Sequence, residues 1–193
     1  MYKLCKTEQS ANRQRQLEQG LLQAMLTQQY DDISVSDLCL QLSIPRKAFY
    51  RYFDGKEGAL HALLDHTLMA YESFPAIYAE GEKRTLVRDL EQFFQFWIRQ
   101  KPRLDALQRS GLSGVLIERA IAQAAVETTV PRRFLEADEK QIQQHVTMFG
   151  VCGLMSMVLQ WHHGGYTESA RFMATVAVRL LTQPLFPDAG KLI

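Results

Sequence analysis

Apolar residues recur at helical spacing along nearly the whole chain, and the breaks fall at proline, glycine and capping residues. From Glu8 to about Gln29, Leu17, Leu21 and Met25 share a stripe with Leu22 and Leu26 beside it, which predicts a first helix. Tyr30-Asp31-Asp32 interrupts it. Val35, Leu38, Cys39 and Leu42 then repeat at i, i+3, i+4 and i+7, the apolar face of a two-turn helix. A short helix follows from Pro45 to Phe53, and another opens at Lys56-Glu57 and runs through Leu60, Leu63, Leu64, Thr67, Leu68 and Tyr71 until Pro75. Further helices are expected over Thr85–Gln100, Arg103–Gly114, Val115–Val130 and Leu135–His163. The last runs from a Thr167 cap to Leu181. Gly164-Gly165 is the expected stop of the long helix, because glycine accepts a left-handed C-terminal residue at little cost. No strand pattern or internal repeat interrupts this, so the fold class is all-α with about nine helices.

The segment Ile33–Phe53 carries the most chemistry. Ser34 suits an N-cap, with Asp37 three residues on as an Asp variant of the capping box, and Ile33 and Leu38 can close as a hydrophobic staple. Pro45 fits the first turn of the next helix. There Ala48, Phe49 and Phe53 are expected inward, leaving Arg46, Lys47, Tyr50, Arg51 and Tyr52 outward. Between Leu38 and Phe53 there are three basic residues and no Asp or Glu. Arg and Lys can donate to guanine O6 and N7 or to phosphates, and Tyr hydroxyls can bond phosphate while the rings touch thymine methyls. Spacing alone leaves two readings open: a helix-turn-helix that enters the major groove, and a solvated amphipathic helix pair.

The residues Phe49-Tyr50-Arg51-Tyr52-Phe53 followed by Lys56-Glu57 resemble, in register, the DNA-binding segment of the tetracycline-repressor (TetR) family of bacterial transcriptional regulators. The resemblance is close over roughly residues 10–70 and elsewhere extends to helical architecture only. It implies a three-helix DNA-binding domain over residues 1–55 and a larger C-terminal helical bundle over 56–193 that binds an effector and dimerises. It further implies a homodimeric regulator, a repressor released from a near-palindromic DNA operator. The residues expected on DNA are Ser34, Ser36, Arg46, Lys47, Ala48, Tyr50, Arg51, Tyr52 and Lys56. Pro45 stands where the family often has Ser or Thr, and Ala48 where Thr is common. The first change removes a hydroxyl cap and the second a phosphate donor. An activator that recruits a protein partner, and a ligand-binding module that no longer reads DNA, remain alternatives.

Charge localises this expectation. The 193 residues carry a net charge of +1, with eight basic and seven acidic side chains in residues 1–60 and fourteen of each beyond. Whole-protein steering of DNA is therefore expected to be weak, and a local basic face must supply the phosphate contacts. No apolar run reaches the roughly 18–20 residues that span a bilayer, and residues 1–9 lack an apolar leader, so a cytoplasmic location without membrane attachment is expected. Cys5, Cys39 and Cys152 are too dispersed for a disulfide framework or zinc site. Asn12, Arg13 and Arg15 fit either a phosphate-touching arm or a solvated helix end. Lys56 at a helix start suits an anion.

The later helices have apolar residues on several sides. Ile142, Val146, Phe149, Gly150, Gly153, Met157 and Trp161 on one, with Phe172, Met173, Val176, Ala177 and Leu180 on the next, suit either an intrachain core or a two-fold four-helix interface. Phe149, Gly150, Gly153, Met157, Trp161, Phe172, Met173, Val176, Ala177 and Leu180 are the expected dimer residues. Phe93, Phe94, Trp97, Met148, Cys152 and Met155 suit either plain core or the lining of an apolar effector pocket. His162-His163 has no further ligand at suitable spacing, and Glu136, Asp138 and Glu139 complement a helix start. No phosphate loop or nucleophile elbow is present. No metal, cofactor or enzymatic activity is expected.

Overall fold

Several helices start where the sequence offers an oxygen to the first turn. The computed structural model describes residues 1–75, 83–126 and 140–183. In it Thr7 caps α1 (Glu8–Met25), Ser34 caps α2 (Val35–Gln41) and Thr85 caps α5 (Leu86–Arg99), each hydroxyl accepting from a backbone N–H of the first turn. Ser169, two residues beyond the expected Thr167, caps α9 (Ala170–Thr182) in the same way. Thr167 instead donates to the Glu168 carboxylate at 2.7 Å. Between them stand α3 (Arg46–Tyr52), α4 (Lys56–Ala70), α6 (Lys101–Arg109), α7 (Ser113–Val126) and α8 (Lys140–His163). A 3₁₀ turn at Tyr30–Asp32 ends four residues of irregular chain after α1. Pro102 lies in the first turn of α6 rather than before it, where its missing N–H costs nothing. The expected start of one helix at Leu135 and end of another at Val130, with the acidic cluster Glu136, Asp138 and Glu139, lie outside the described residues.

The described residues are all-α, apart from one antiparallel bridge between Tyr2 and Phe53. None of their helices is long and apolar enough to cross a membrane. The chain packs as two units. Met1–Ser73 joins Lys101–Gln123 in the first, and Phe74–Gln100 joins Ala124–Ile193 in the second. Residue 55, the boundary expected from sequence, falls inside the first unit.

In the first unit α1 packs on α2, α4 and α6, and α2 packs on α3. Leu17, Leu21, Met25, Leu38, Phe49, Phe53, Leu64, Leu104 and Leu107 are buried there. Each such side chain contributes about 1.5–3 kcal/mol relative to exposure. The Leu42 side chain packs over Gly20, and a Cβ at that position would require the leucine methyls to shift.

In the second unit α5 lies against α8 and α9. Its core is aromatic. Phe94 meets Trp161 edge-on at 5.6 Å, Phe96 meets Trp97 at 5.3 Å, and Trp161 meets Tyr166 at 4.8 Å. Trp161 is 3 % exposed and donates its indole N–H to the Glu168 carbonyl, and Ala177 and Gly150 are likewise buried. These three expected interface residues are therefore intrachain core. Phe149, at 65 %, Phe172, at 54 %, Leu180 and Gly153 are exposed, while Met157, Met173 and Val176 are half-buried.

Candidate nucleic-acid interface

The turn between α2 and α3 is closed by backbone geometry. Ile44 N–H donates to the Cys39 carbonyl at 2.9 Å and Ser43 N–H to Leu40 at 3.1 Å, the paired bonds of a Schellman ending. The same pattern ends α6 at Gly111 and α8 at Gly165, where φ is +67° and +76°. At the α2 end the left-handed position is Ser43, with φ +53°. The expected glycine stop of α8 is thus present, whereas the turn before α3 is made with a serine, which no glycine announces in the sequence. Pro45 is the N-cap of α3, one place earlier than expected. Its φ of −60° and ψ of 137° aim the chain into the helix at Arg46.

Seven residues of α3 divide cleanly. Phe49 and Phe53 are fully buried with ring centroids 5.1 Å apart, and Tyr52, 8 % exposed, closes the same stripe against Phe53. Tyr52 therefore does not stand on the outward face. Positions 49, 52 and 53 have i, i+3, i+4 spacing, the apolar period itself, so the helix buries its phenol ring with the two phenylalanines. Ala48 is half-buried. Arg46, Lys47, Tyr50 and Arg51 are exposed together. The Arg46 guanidinium lies 5.9 Å from the centre of the Tyr50 ring, one turn on. Such contacts contribute about 0.5–1 kcal/mol at exposed sites and hold both groups on one line. Among the described residues no carboxylate pairs with Arg46, Lys47 or Arg51.

The remaining expected contacts are placed differently. Ser34 accepts from the Asp37 N–H at 3.0 Å and donates to the Asp37 carboxylate at 2.6 Å, so its hydroxyl is occupied by the cap. Ser36 is exposed. Lys56 turns back: its ammonium donates to the carbonyls of Tyr30 and Asp31 and lies 4.3 Å from the centre of the Tyr30 ring. In that position it ties the start of α4 to the 3₁₀ turn. Burial, with the nearby Glu57 and Asp31 charges, pushes the Tyr30 phenol up to about 12. Asn12, Arg13 and Arg15 are on or near the α1 surface, where Arg15 donates to Asn12 at 3.3 Å and Arg13 to Gln16 at 3.0 Å.

No sequence-family model matches the chain, and no curated protein matches it. Solved structures do. A tetR-family transcriptional regulator from Streptomyces coelicolor superposes with a TM-score of 0.56 at 20 % identity, covering 88 % of this chain and 80 % of its own. The fatty acid degradation regulator FadR from Bacillus halodurans superposes with a TM-score of 0.51 at 13 % identity, covering 94 % and 98 %. The fold is that of the TetR-type regulators.

Within this TetR-type fold a polar cluster braces the first unit, and the sequence reading missed it. Arg119 on α7 grips Asp65 on α4 through two bonds of 2.7 and 2.5 Å, and the Tyr2 hydroxyl donates to the same carboxylate at 2.9 Å. Burial, then the bond to Asp65, pushes the Tyr2 phenol up to about 12. The Asp65 bond raises the Arg119 pKa further. At the next residue of α4, His66 Nδ1 meets the buried Glu18 carboxylate at 2.9 Å. The partners are 48 to 63 residues apart, so local periodicity carries no trace of them. The available signal was the presence of charged residues on otherwise apolar stripes, such as Asp65 beside Leu64 and Glu18 beside Leu17. Burial also raises the Cys39 and Cys5 thiols, and Cys5 donates to Gln14 at 2.9 Å.

Proposed function

We propose that this protein is a homodimeric, DNA-binding transcriptional regulator that acts as a repressor. The observation that carries the reading is the outward face of α3: Arg46, Lys47, Tyr50 and Arg51, unpaired with acid and backed by the rigid Phe49–Tyr52–Phe53 stripe. A short cationic helix on a stiff support matches what the major groove admits. Ser36 and the half-buried Ala48 are the second-line contacts, and the engaged Ser34, Lys56 and Tyr52 act by shaping the support. Residues 1–55 supply the DNA contacts, while residues 56–193 carry the regulatory and dimer functions, even though packing draws α6 and α7 to the first unit. Two copies would address half-sites about 34–36 Å apart, or a multiple, on a near-palindromic duplex.

Dimer formation is supported by the exposed Phe149, Gly153, Phe172 and Leu180, an apolar face that a two-fold partner can cover. A small effector is supported by the second unit, where Phe93, Phe94, Trp97, Met148, Cys152 and Met155 provide aromatic and thioether surface. The buried Trp97 indole N–H has no hydrogen-bond partner among the described residues. An apolar molecule with one acceptor would satisfy it. The effector shifts the protein towards a state that does not fit DNA only to the extent that it binds that state more tightly.

Arg46→Ala decides the α3 assignment. Fluorescence anisotropy on duplexes from the chromosomal region beside the protein's own gene is expected to show a loss of about 1–3 kcal/mol, with relaxed preference at one base position. Unchanged affinity and preference would remove Arg46 from the interface. Failure of the unaltered protein to bind any duplex would remove the DNA reading altogether.

A further inference from the structure

The segment before α1 is pinned to the end of α3 in a way that the helix-turn-helix does not require. Tyr2 and Phe53 form an antiparallel bridge, Lys3 N–H donates to the Tyr52 carbonyl at 2.9 Å, and Asp54 N–H donates to the Met1 carbonyl at 3.2 Å. The other side of Lys3 is held as well. Its carbonyl accepts from Nε2 of Gln14 at 3.3 Å, and Gln14, itself buried, accepts from Cys5 at its Oε1. Gly58 takes part too: any side chain there would collide with the Met1 carbonyl.

Alternation along this extended stretch then fixes directions. Tyr2 points inward, to Asp65 and edge-on to the His66 ring at 5.8 Å. Lys3, its neighbour, is exposed. A lysine whose backbone is fixed on both sides is thus held directly across from Tyr52, the last residue of α3 and the chain neighbour of the exposed Arg51. A solvated lysine would need neither the buried Gln14 amide nor the bridge to Phe53.

We infer that Lys3 is a DNA phosphate contact, displayed at the C-terminal end of α3 by the Tyr2 and Gln14 anchors. This rests on the DNA-binding reading and extends the interface beyond the helix-turn-helix. Tyr2 and Gln14 are positioning residues, since their side chains face the protein. The contact is independent of base sequence, as a single ammonium on a flexible stem offers charge without a two-point base pattern.

The test uses the full chain and a labelled mixed-sequence duplex about four helical turns long, titrated by anisotropy between about 50 and 200 mM salt. Lys3→Ala is expected to make the slope of log affinity against log salt shallower by about 0.9, and to weaken binding about eightfold near 0.1 M salt. Lys3→Arg should keep the original slope. Lys3→Met, which keeps an unbranched apolar stem of similar length, should repeat the alanine result, which ties the loss to charge rather than packing. If both uncharged variants keep the original slope while Arg51→Ala makes it shallower, Lys3 is off the DNA and the inference falls with the DNA reading intact. If the unaltered protein binds no duplex at any salt, both fall together.

Discussion

Tyr2 shows how one phenol couples the two ends of the first unit. Its hydroxyl is bonded to Asp65, which Arg119 already holds, so ionising it would place two anions side by side. Its folded pKa, pushed up to about 12, lies above the unfolded value of 10.0. The proton is thus held more tightly in the folded state, and the associated stability is complete below pH 10 and lost as pH rises from 10 towards 12. Tyr30 behaves in the same sense over the same window. Tyr2→Phe is expected to cost about 1–2 kcal/mol at neutral pH, from the lost bond to a charged acceptor, and to flatten the fall in stability above pH 10. Urea titrations at several pH values measure both; an unchanged alkaline slope would show that Tyr2 is not the titrating group. None of this pairing could be read in the sequence, because hydrophobic period reports which face a residue occupies and not which distant charge it meets. Tyr52 failed differently. Its i+3 spacing from Phe49 was visible, but the resemblance of the surrounding motif to a cation-and-phenol face drew it outward.

At the scale of elements, capping and stop signals were the most legible part of the chain. Ser34 caps as expected, and Gly165 ends α8, because a side-chain oxygen or a missing Cβ acts within a single turn. The α2–α3 turn was legible as a break but not as a conformation, since Ser43 does the work that glycine does at Gly111 and Gly165. A left-handed L-residue costs about 1–2 kcal/mol, part of which glycine returns as greater freedom in the unfolded chain. Ser43→Gly is therefore expected to raise stability by about 1 kcal/mol without altering the bonds from Ser43 to Leu40 and from Ile44 to Cys39. Thermal unfolding checks this, and a fall in the midpoint would mean that the serine side chain contributes more than its backbone costs. Lys56 is the other element-scale lesson: a basic residue opening a helix is the sequence signal of an anion site, yet here the nearest oxygens are the protein's own carbonyls.

For the whole molecule, the apolar excess of α8 and α9 was legible, but its partition between inside and outside was not. Trp161 and Ala177 were absorbed by the chain's own core, while Phe149, Phe172 and Leu180 were left in water. The side chains that stay exposed are the ones a partner copy can cover. Phe149→Glu combined with Leu180→Glu is expected to convert a dimer to a monomer at micromolar concentration with helical content retained, as read by analytical ultracentrifugation and circular dichroism. An unaltered mass of two chains would place the interface elsewhere.

The first unit is assembled from two stretches that are not adjacent in the chain, since α6 and α7 return to it after α5 has left. Head-swapping between proteins of this fold with a cut near residue 55 would part Tyr2 from Asp65 and Glu18 from His66, and a cut after Ser73 would strand Asp65 without its guanidinium on α7. A transplanted first unit would need residues 101–123 of its own parent to travel with it. Modularity, in this molecule, follows which helices hold each other rather than the order in which a ribosome makes them.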